Sequence, residues 1–395
     1  MQHFKIMTMK KLFTYLLFIS ILPITSCKKW LDVQPQGETT QELLFASQKG
    51  FRDALTGAYI RMKSGNIYGG QLYWGHIEYM ANNWDLNPAS ANAAIPKLQA
   101  GTYTDATVTT WMDNIYQDLF KVVADANGIL DHIDEKKSVF IDDNYAIIKG
   151  EALALRAFCH FDVLRLYGPI PGVVGERNLP YVKSVSTSIH QPLGYTEYTK
   201  ALLADLDQAE ALLKDVDPIT KLSIAQLNPT GTEVAAGTDD YMMYRQLRMN
   251  YYAVLALKAR VYLWLVPLGD ENRLNAIKYA KMVTDAVSPN GAPVFRLGQE
   301  SDRVGEDYTM SSEHIMALSE FNLKANANGN FGEQGNLFRY DFNISDGFYY
   351  LNNLFPVSER TSDVRWKQML WSCQFRNVQK VYSKRSTADT SGTAD

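Results

Sequence analysis

Cysteine is scarce in this chain: its 395 residues contain only Cys27, Cys159 and Cys373. So few thiols exclude a disulfide-scaffolded fold, and Cys159, inside an apolar helical pattern, reads as a buried free thiol. Histidine is also sparse. His3, His76, His132, His160, His190 and His314 show no ligand spacing, so no metal is expected, and His160 reads as a packing residue. Beyond the N-terminal leader no apolar run approaches the roughly 18 residues that a membrane-spanning helix needs. Positive charge is not in excess: 39 Lys and Arg stand against 43 Asp and Glu, a net charge of −4 that falls further without Lys5, Lys10 and Lys11. That balance argues against nucleic acid and anionic lipid as main partners.

Catalytic signatures are missing as well. There is no Gly-x-Ser-x-Gly elbow, His-Glu-x-x-His, Cys-x-x-Cys or phosphate loop. Gly70 to His76 has phosphate-loop glycine spacing without the Lys and Ser/Thr, and Gly329, Gly332 and Gly335 neither follow a strand nor open a helix. The acidic pairs Asp142-Asp143 and Asp239-Asp240 could flank a sugar as glycosidase carboxyls do, but each precedes a helical pattern and is expected to cap it. No cofactor is implied.

What is present begins with a leader. Lys10 and Lys11 precede an apolar stretch from Leu12 to Leu22, followed by Pro23-Ile24-Thr25-Ser26-Cys27. A basic start, a short apolar core and small residues before a cut site make a secretory signal peptide over 1–26. A cysteine directly after the cut resembles the bacterial lipoprotein cleavage box. Cys27 is therefore the expected lipidation (palmitate) site, with acyl chains contributing about 0.8 kcal/mol per buried CH₂ to membrane anchoring. Residues 27–48 read as an extended, lipid-anchored N-terminus.

Six helical patterns follow. Phe51 to Met62 places Phe51, Leu55, Tyr59 and Met62 on one stripe; Thr110 to Asp134 repeats Trp111, Ile115, Leu119, Val122, Ala126, Ile129 and Ile133 at helical spacing. Asn144 to Tyr167 is the densest apolar stretch and stops at Gly168-Pro169. Tyr195 to Leu213 turns Ala201, Leu202, Leu206, Ala209 and Leu213 inward. The spacing then predicts Tyr241 to Leu265, with small Ala253, Ala256 and Ala259 for close helix approach. It also predicts Arg273 to Val287, with Ala276, Ile277, Ala280, Val283 and Val287 on one side. The expected fold is mostly α, built of tetratricopeptide-like helix pairs over residues 49–290 with loop-rich insertions. Residues 291–385 read as loop-rich, with turn chemistry at Asn326 to Gly332 and short strands at Phe348 to Leu351 and Lys380 to Tyr382. Residues 386–395 read as a flexible tail.

One constellation survives the search for a site. The segment 64–104 is long for a bare connection and therefore reads as functional. It carries Tyr68, Tyr73, Trp74, Glu78, Asn82, Asn83, Trp84 and Asp85. Sugar rings present apolar C–H faces and a rim of hydroxyls, so a glycan site wants flat aromatics edged by amides and carboxylates. Tyr73, Trp74 and Trp84 with Asn82, Asn83 and Asp85 fit that demand. An alternative stays open, in which one tryptophan plugs the helical core and the asparagines cap turns. Tyr349 and its neighbours form a second, weaker aromatic cluster. Aromatics are 12% of the chain, with 23 Tyr and 7 Trp, enough to supply both core and contact surface.

Three stretches together resemble one family. Cys27-Lys28-Lys29-Trp30-Leu31-Asp32-Val33-Gln34-Pro35 after the lipoprotein box resembles the mature start of SusD/RagB-like outer-membrane lipoproteins. Gly150-Glu151-Ala152-Leu153-Ala154-Leu155-Arg156-Ala157-Phe158 through Gly168-Pro169-Ile170-Pro171 is similar to their most recognisable helix and turn. Asn250 to Leu263 looks like the opening helix of a later helix pair. The resemblance implies a surface-exposed, non-catalytic nutrient-binding lipoprotein of the outer membrane. It would capture an oligosaccharide or other nutrient oligomer and pass it to a SusC-like TonB-dependent transporter. The chain ends before the Ala-rich helix pair that relatives carry next, which reads as a fragment or a shortened member. Two other classes remain: a lipid-anchored glycoside hydrolase using scattered carboxylates, and a structural transporter subunit without its own ligand site.

Overall fold

The computed structural model describes residues 41–83, 93–173, 178–229, 239–307, 309–331 and 358. The leader, Cys27, Trp84, Asp85, both expected C-terminal strands and the tail lie outside them. Six long helices carry the fold: α1 Gln48–Met62, α2 Ala106–Ile133, α3 Asn144–Tyr167, α4 Tyr195–Leu213, α5 Tyr251–Trp264 and α6 Asp270–Thr284. Each packs on its neighbour in sequence, α1 on α2 through to α5 on α6, as in a stack of helix pairs. The protein is mostly α, and its described residues hold two isolated β-bridges but no sheet. None of the described helices is long and apolar enough to cross a membrane.

Local chemistry accounts for several helix starts. Ser47 starts α1 by accepting from Gly50 N, and Asp105 starts α2 by accepting from Thr107 N and Val108 N. The stripe Ile115, Leu119, Val122, Ala126, Ile129 and Ile133 is buried, as are all five inward residues of α4. α3 is buried on nearly every side, and one continuous core joins all its neighbours. Gly150 allows α4 to approach closely: a Cβ there would stand 2.7 Å from Leu213 Cγ on α4.

Several expectations fail, each for a physical reason. Residues 241–250 do not belong to α5. They form 3₁₀ turns at Asp240–Met242 and Arg245–Leu247, with Tyr244 between them in the left-handed region (φ 53°). The detour brings Arg245 onto two buried carboxylates. Its Nε and Nη2 donate to Asp217 (2.9 Å each) and its Nη1 to Glu151 (2.5 Å), with all three side chains fully buried. Burial works against the Arg245 charge, but Asp217 and Glu151 outweigh it and raise the guanidinium well above its ordinary value. Arg248 (3.0 Å) and the Tyr59 hydroxyl (2.6 Å) complete the shell of Glu151, while Ile219 N and Tyr251 N donate to Asp217. Asn250 then restarts the helix by accepting from Ala253 N.

In α6 the inward stripe is Ala276, Tyr279 and Val283, whereas Ile277 and Ala280 face out. Val287 lies past the helix end, where extended alternation buries Ala286 and Ser288 and exposes Val287. Asp143 occupies the N-cap of α3 but makes no capping bond, and its carboxylate pairs with Lys221 at 3.5 Å. Asp239 does cap, accepting from Tyr241 N. Gln41–Leu44, within the stretch expected to be extended, is a helical turn that precedes Phe45, whose ring stacks on His132 and meets Phe51 at a tilt. Leu323–Phe331 is helical where turn chemistry was expected. Leu323, Lys324, Ala325 and Ala327 favour the helix, and Asn326 N closes onto Asn322 O (2.9 Å).

Candidate functional site

The loop between α1 and α2 is tied down before it reaches its aromatic residues. Ser64 Oγ and Asn66 Nδ2 donate to Asp118 on α2 at 2.6 and 3.0 Å. Ile67 is fully buried, and Tyr68 donates to Asp162 on α3 at 2.8 Å with its ring against Phe158. Tyr68 is thus an anchor within the helical body rather than part of a contact face. Burial, then the Asp162 charge, raises its hydroxyl well above the usual tyrosine range. Gly70 permits the tight winding, since a Cβ there would meet Gly65 O at 2.4 Å.

The chain then crosses the N-terminal end of α2. His76 stacks on Trp111 (4.3 Å between ring centroids, 24°), and its backbone N–H donates to Gln71 Oε1 at 3.0 Å. Burial pushes the His76 imidazole down to about 4, and its buried Nδ1 has no hydrogen-bond partner among the described residues. The short helix His76–Met80 lays Tyr79 and Met80 on a small apolar cluster of Ala94, Leu98 and Val108, joined by Trp111 and Met112. Leu98 comes from a second short helix, Ile95–Gln99. Trp111 is therefore the floor of the loop.

On this support Tyr73 projects outward, 67% exposed, with its ring edge-on to half-buried Trp74 at 5.0 Å. Asn82 and Asn83 are exposed one helix later. Asn82 takes the left-handed conformation (φ 56°) that ends the short helix, and Asn83 Nδ2 donates to Glu78 Oε2 at 2.9 Å. Asparagine tolerates that conformation better than most residues. The structure thus brings Tyr73 to Trp74 and Asn83 to Glu78, while Trp84 and Asp85 lie outside the described residues. His76 and Trp111 carried no sequence signal for this role: one was a solitary histidine, the other the first member of a core stripe. Among the described residues no group of three His, Cys, Asp or Glu side chains gathers as a metal site.

A second polar cluster lies deep between α2, α3 and α4. Arg156 makes a bidentate pair with Asp205 (2.7 Å twice) and also reaches Asn127 Oδ1 and Lys183 O. Val182 N donates to His160 Nε2 at 3.1 Å, leaving His160 Nδ1 to donate to Tyr198 Oη at 3.0 Å. Burial, with Arg156 adding to it, lowers the His160 imidazole to about 3. His160 is a neutral packing residue, and burial likewise pushes the Cys159 thiol up. These groups are joined to one another and hold helices together.

Residues 29–222 match the SusD-like family described as "Starch-binding associating with outer membrane". Two SusD-like proteins of Formosa agariphila are similar. P25 is 24% identical over 49% of this chain and 36% of its own length; P38 is 23% identical over 64% and 42%. Among solved structures, a laminarin-binding SusD-like protein aligns with TM-score 0.48 and 16% identity, covering 72% of this chain and 54% of its own. A SusD-like carbohydrate-binding protein from Bacteroides vulgatus aligns with TM-score 0.47 and 17% identity over 70% and 51%. Over residues 29–222 the chain is SusD-like. It spans only 36% and 42% of the length of the two curated relatives.

Proposed function

We propose that this protein is a cell-surface lipoprotein, acylated at Cys27, that captures a glycan oligomer on the loop between α1 and α2. It passes that oligomer to a SusC-like TonB-dependent transporter and breaks no bond itself. The observation that carries the reading is the Tyr73–Trp74 pair, edge to face on a loop outside the helical stack, with Tyr73 exposed and with exposed Asn82 and Asn83 further along the same loop. An apolar ring face with a hydrogen-bonding edge suits a sugar. Trp84 and Asp85 belong to the same proposed surface by their place in the sequence. The match of residues 29–222 to a family described as starch-binding and associating with the outer membrane supports both the ligand class and the location.

The test is calorimetric titration with glycan oligomers, alongside Trp74→Ala and Trp84→Ala variants. The expected wild-type affinity lies between micromolar and millimolar, equivalent to about 4–8 kcal/mol, with at least a tenfold loss in one variant. If both variants bind like wild type, the loop is not the site. New reducing ends released from a polysaccharide during incubation would instead make the protein a hydrolase.

A further inference from the structure

The Glu78–Asn83 contact says which groups this loop can receive. A carboxylate can only accept hydrogen bonds, so the Asn83 amide must turn its NH₂ toward Glu78, as the 2.9 Å Nδ2–Oε2 distance records. Its Oδ1 is then left to the exposed side, where it accepts. The charges around the loop point the same way. Residues 64–104 contain three formally charged side chains, Glu78, Asp85 and Lys97. Lys97, the sole cation, lies on Asp105 at 2.5 Å, at the foot of the loop. The cations that precede the loop are paired too: Arg61 with Asp125, and Lys63 with Glu320 at 3.6 Å. His76 is neutral near pH 7, because burial holds its imidazole at about 4. Among the described residues of this loop, an arriving anion therefore meets a carboxylate with no ion-pair partner and no cation without one.

We infer that Glu78 is a specificity-determining residue: it fixes Asn83 as an acceptor for ligand hydroxyls and turns away carboxylate- or sulfate-bearing oligomers, so the loop takes neutral ones. The inference rests on the loop being the ligand site proposed above.

The experiment titrates the full chain with neutral hexasaccharides (maltohexaose, laminarihexaose, cellohexaose, mannohexaose) and anionic ones (hexagalacturonate, a sulfated chondroitin hexasaccharide), at low and moderate salt. At least one neutral hexamer is expected to bind ten times more tightly than either anionic one. Glu78→Lys, checked for unchanged helix content, is expected to narrow that ratio by about three- to tenfold at low salt, as for reversal of a screened charge a few ångströms away. The narrowing shrinks as salt rises. Tighter binding of an anionic hexamer to wild type overturns the inference but leaves the glycan loop standing. A ratio unmoved by Glu78→Lys, with binding still lost in Trp74→Ala, removes Glu78 from the role. No binding of any hexamer overturns the loop reading and this inference together.

Discussion

Replacing Arg245 by methionine should be among the most damaging single changes in the helical body. The guanidinium makes three hydrogen bonds, two to Asp217 and one to Glu151, and all three side chains are shielded from solvent. Methionine fills much of the space but strands two carboxylates. Glu151 keeps Arg248 at 3.0 Å and Tyr59 at 2.6 Å, while Asp217 keeps only backbone donors, from Ile219 at 3.1 Å and Tyr251 at 2.8 Å. Most of the penalty should therefore arise at Asp217. Removing one partner of a buried ion pair costs about 3–5 kcal/mol, and the well-screened Glu151 argues for the lower half of that range. At about 2–4 °C per kcal/mol for a body of this size, thermal unfolding should fall by about 6–16 °C. The assay is urea unfolding followed by tryptophan fluorescence, with far-UV circular dichroism as a second probe. Arg245→Met/Asp217→Asn should regain part of the loss, because the stranded charge is gone. A loss below about 1 kcal/mol in Arg245→Met, or no recovery in the double variant, would refute the view that this ion cluster joins α3 to the segment before α5.

Three further outcomes follow from the same physical picture. Gly150→Ala should destabilise by about 1–3 kcal/mol by pushing Leu213 off α3, against a helix-propensity gain of no more than about 1 kcal/mol; thermal melts of the variant check it. Stability should fall as pH drops from 6.5 toward 4. An unfolded histidine takes a proton near 6.5, whereas His160 holds out to about 3 and His76 to about 4, so protons favour the unfolded chain across that window. Each histidine contributes at most about 1.4 kcal/mol per pH unit, read from urea midpoints at pH 7, 6, 5 and 4.5. His76→Phe should keep the Trp111 stack, remove the unpartnered Nδ1 and flatten part of that slope; an unchanged slope would place His76 in a more solvated setting.

Much of the fold was legible because helix formation is local. The apolar stripes of α1, α2 and α4 recur at helical spacing, and Gly168-Pro169 stops α3 where the pattern ends, so these helices lie where the periodicity put them. Segments that fail the rule have distant partners. Arg245 meets Glu151 across 94 positions and Asp217 across 28, and no periodic pattern announces such pairing. That ion cluster, rather than apolar spacing, decided that Tyr241 to Asn250 would not extend α5.

The candidate site divides the same way. Its aromatic and amide residues stand out in the sequence as a cluster in one long loop. Their accessibility does not: Tyr68 and Tyr73 are five positions apart, yet one bonds Asp162 in the helical body and the other projects into solvent. Composition alone determined which side chains the loop can offer. Only the tertiary structure decided that Trp111 would support the loop, that Glu78 would turn the Asn83 amide and that Lys97 would lie on Asp105. Hydrogen bonds and ion pairs are short-ranged and directional, so the chain must be folded before they have partners.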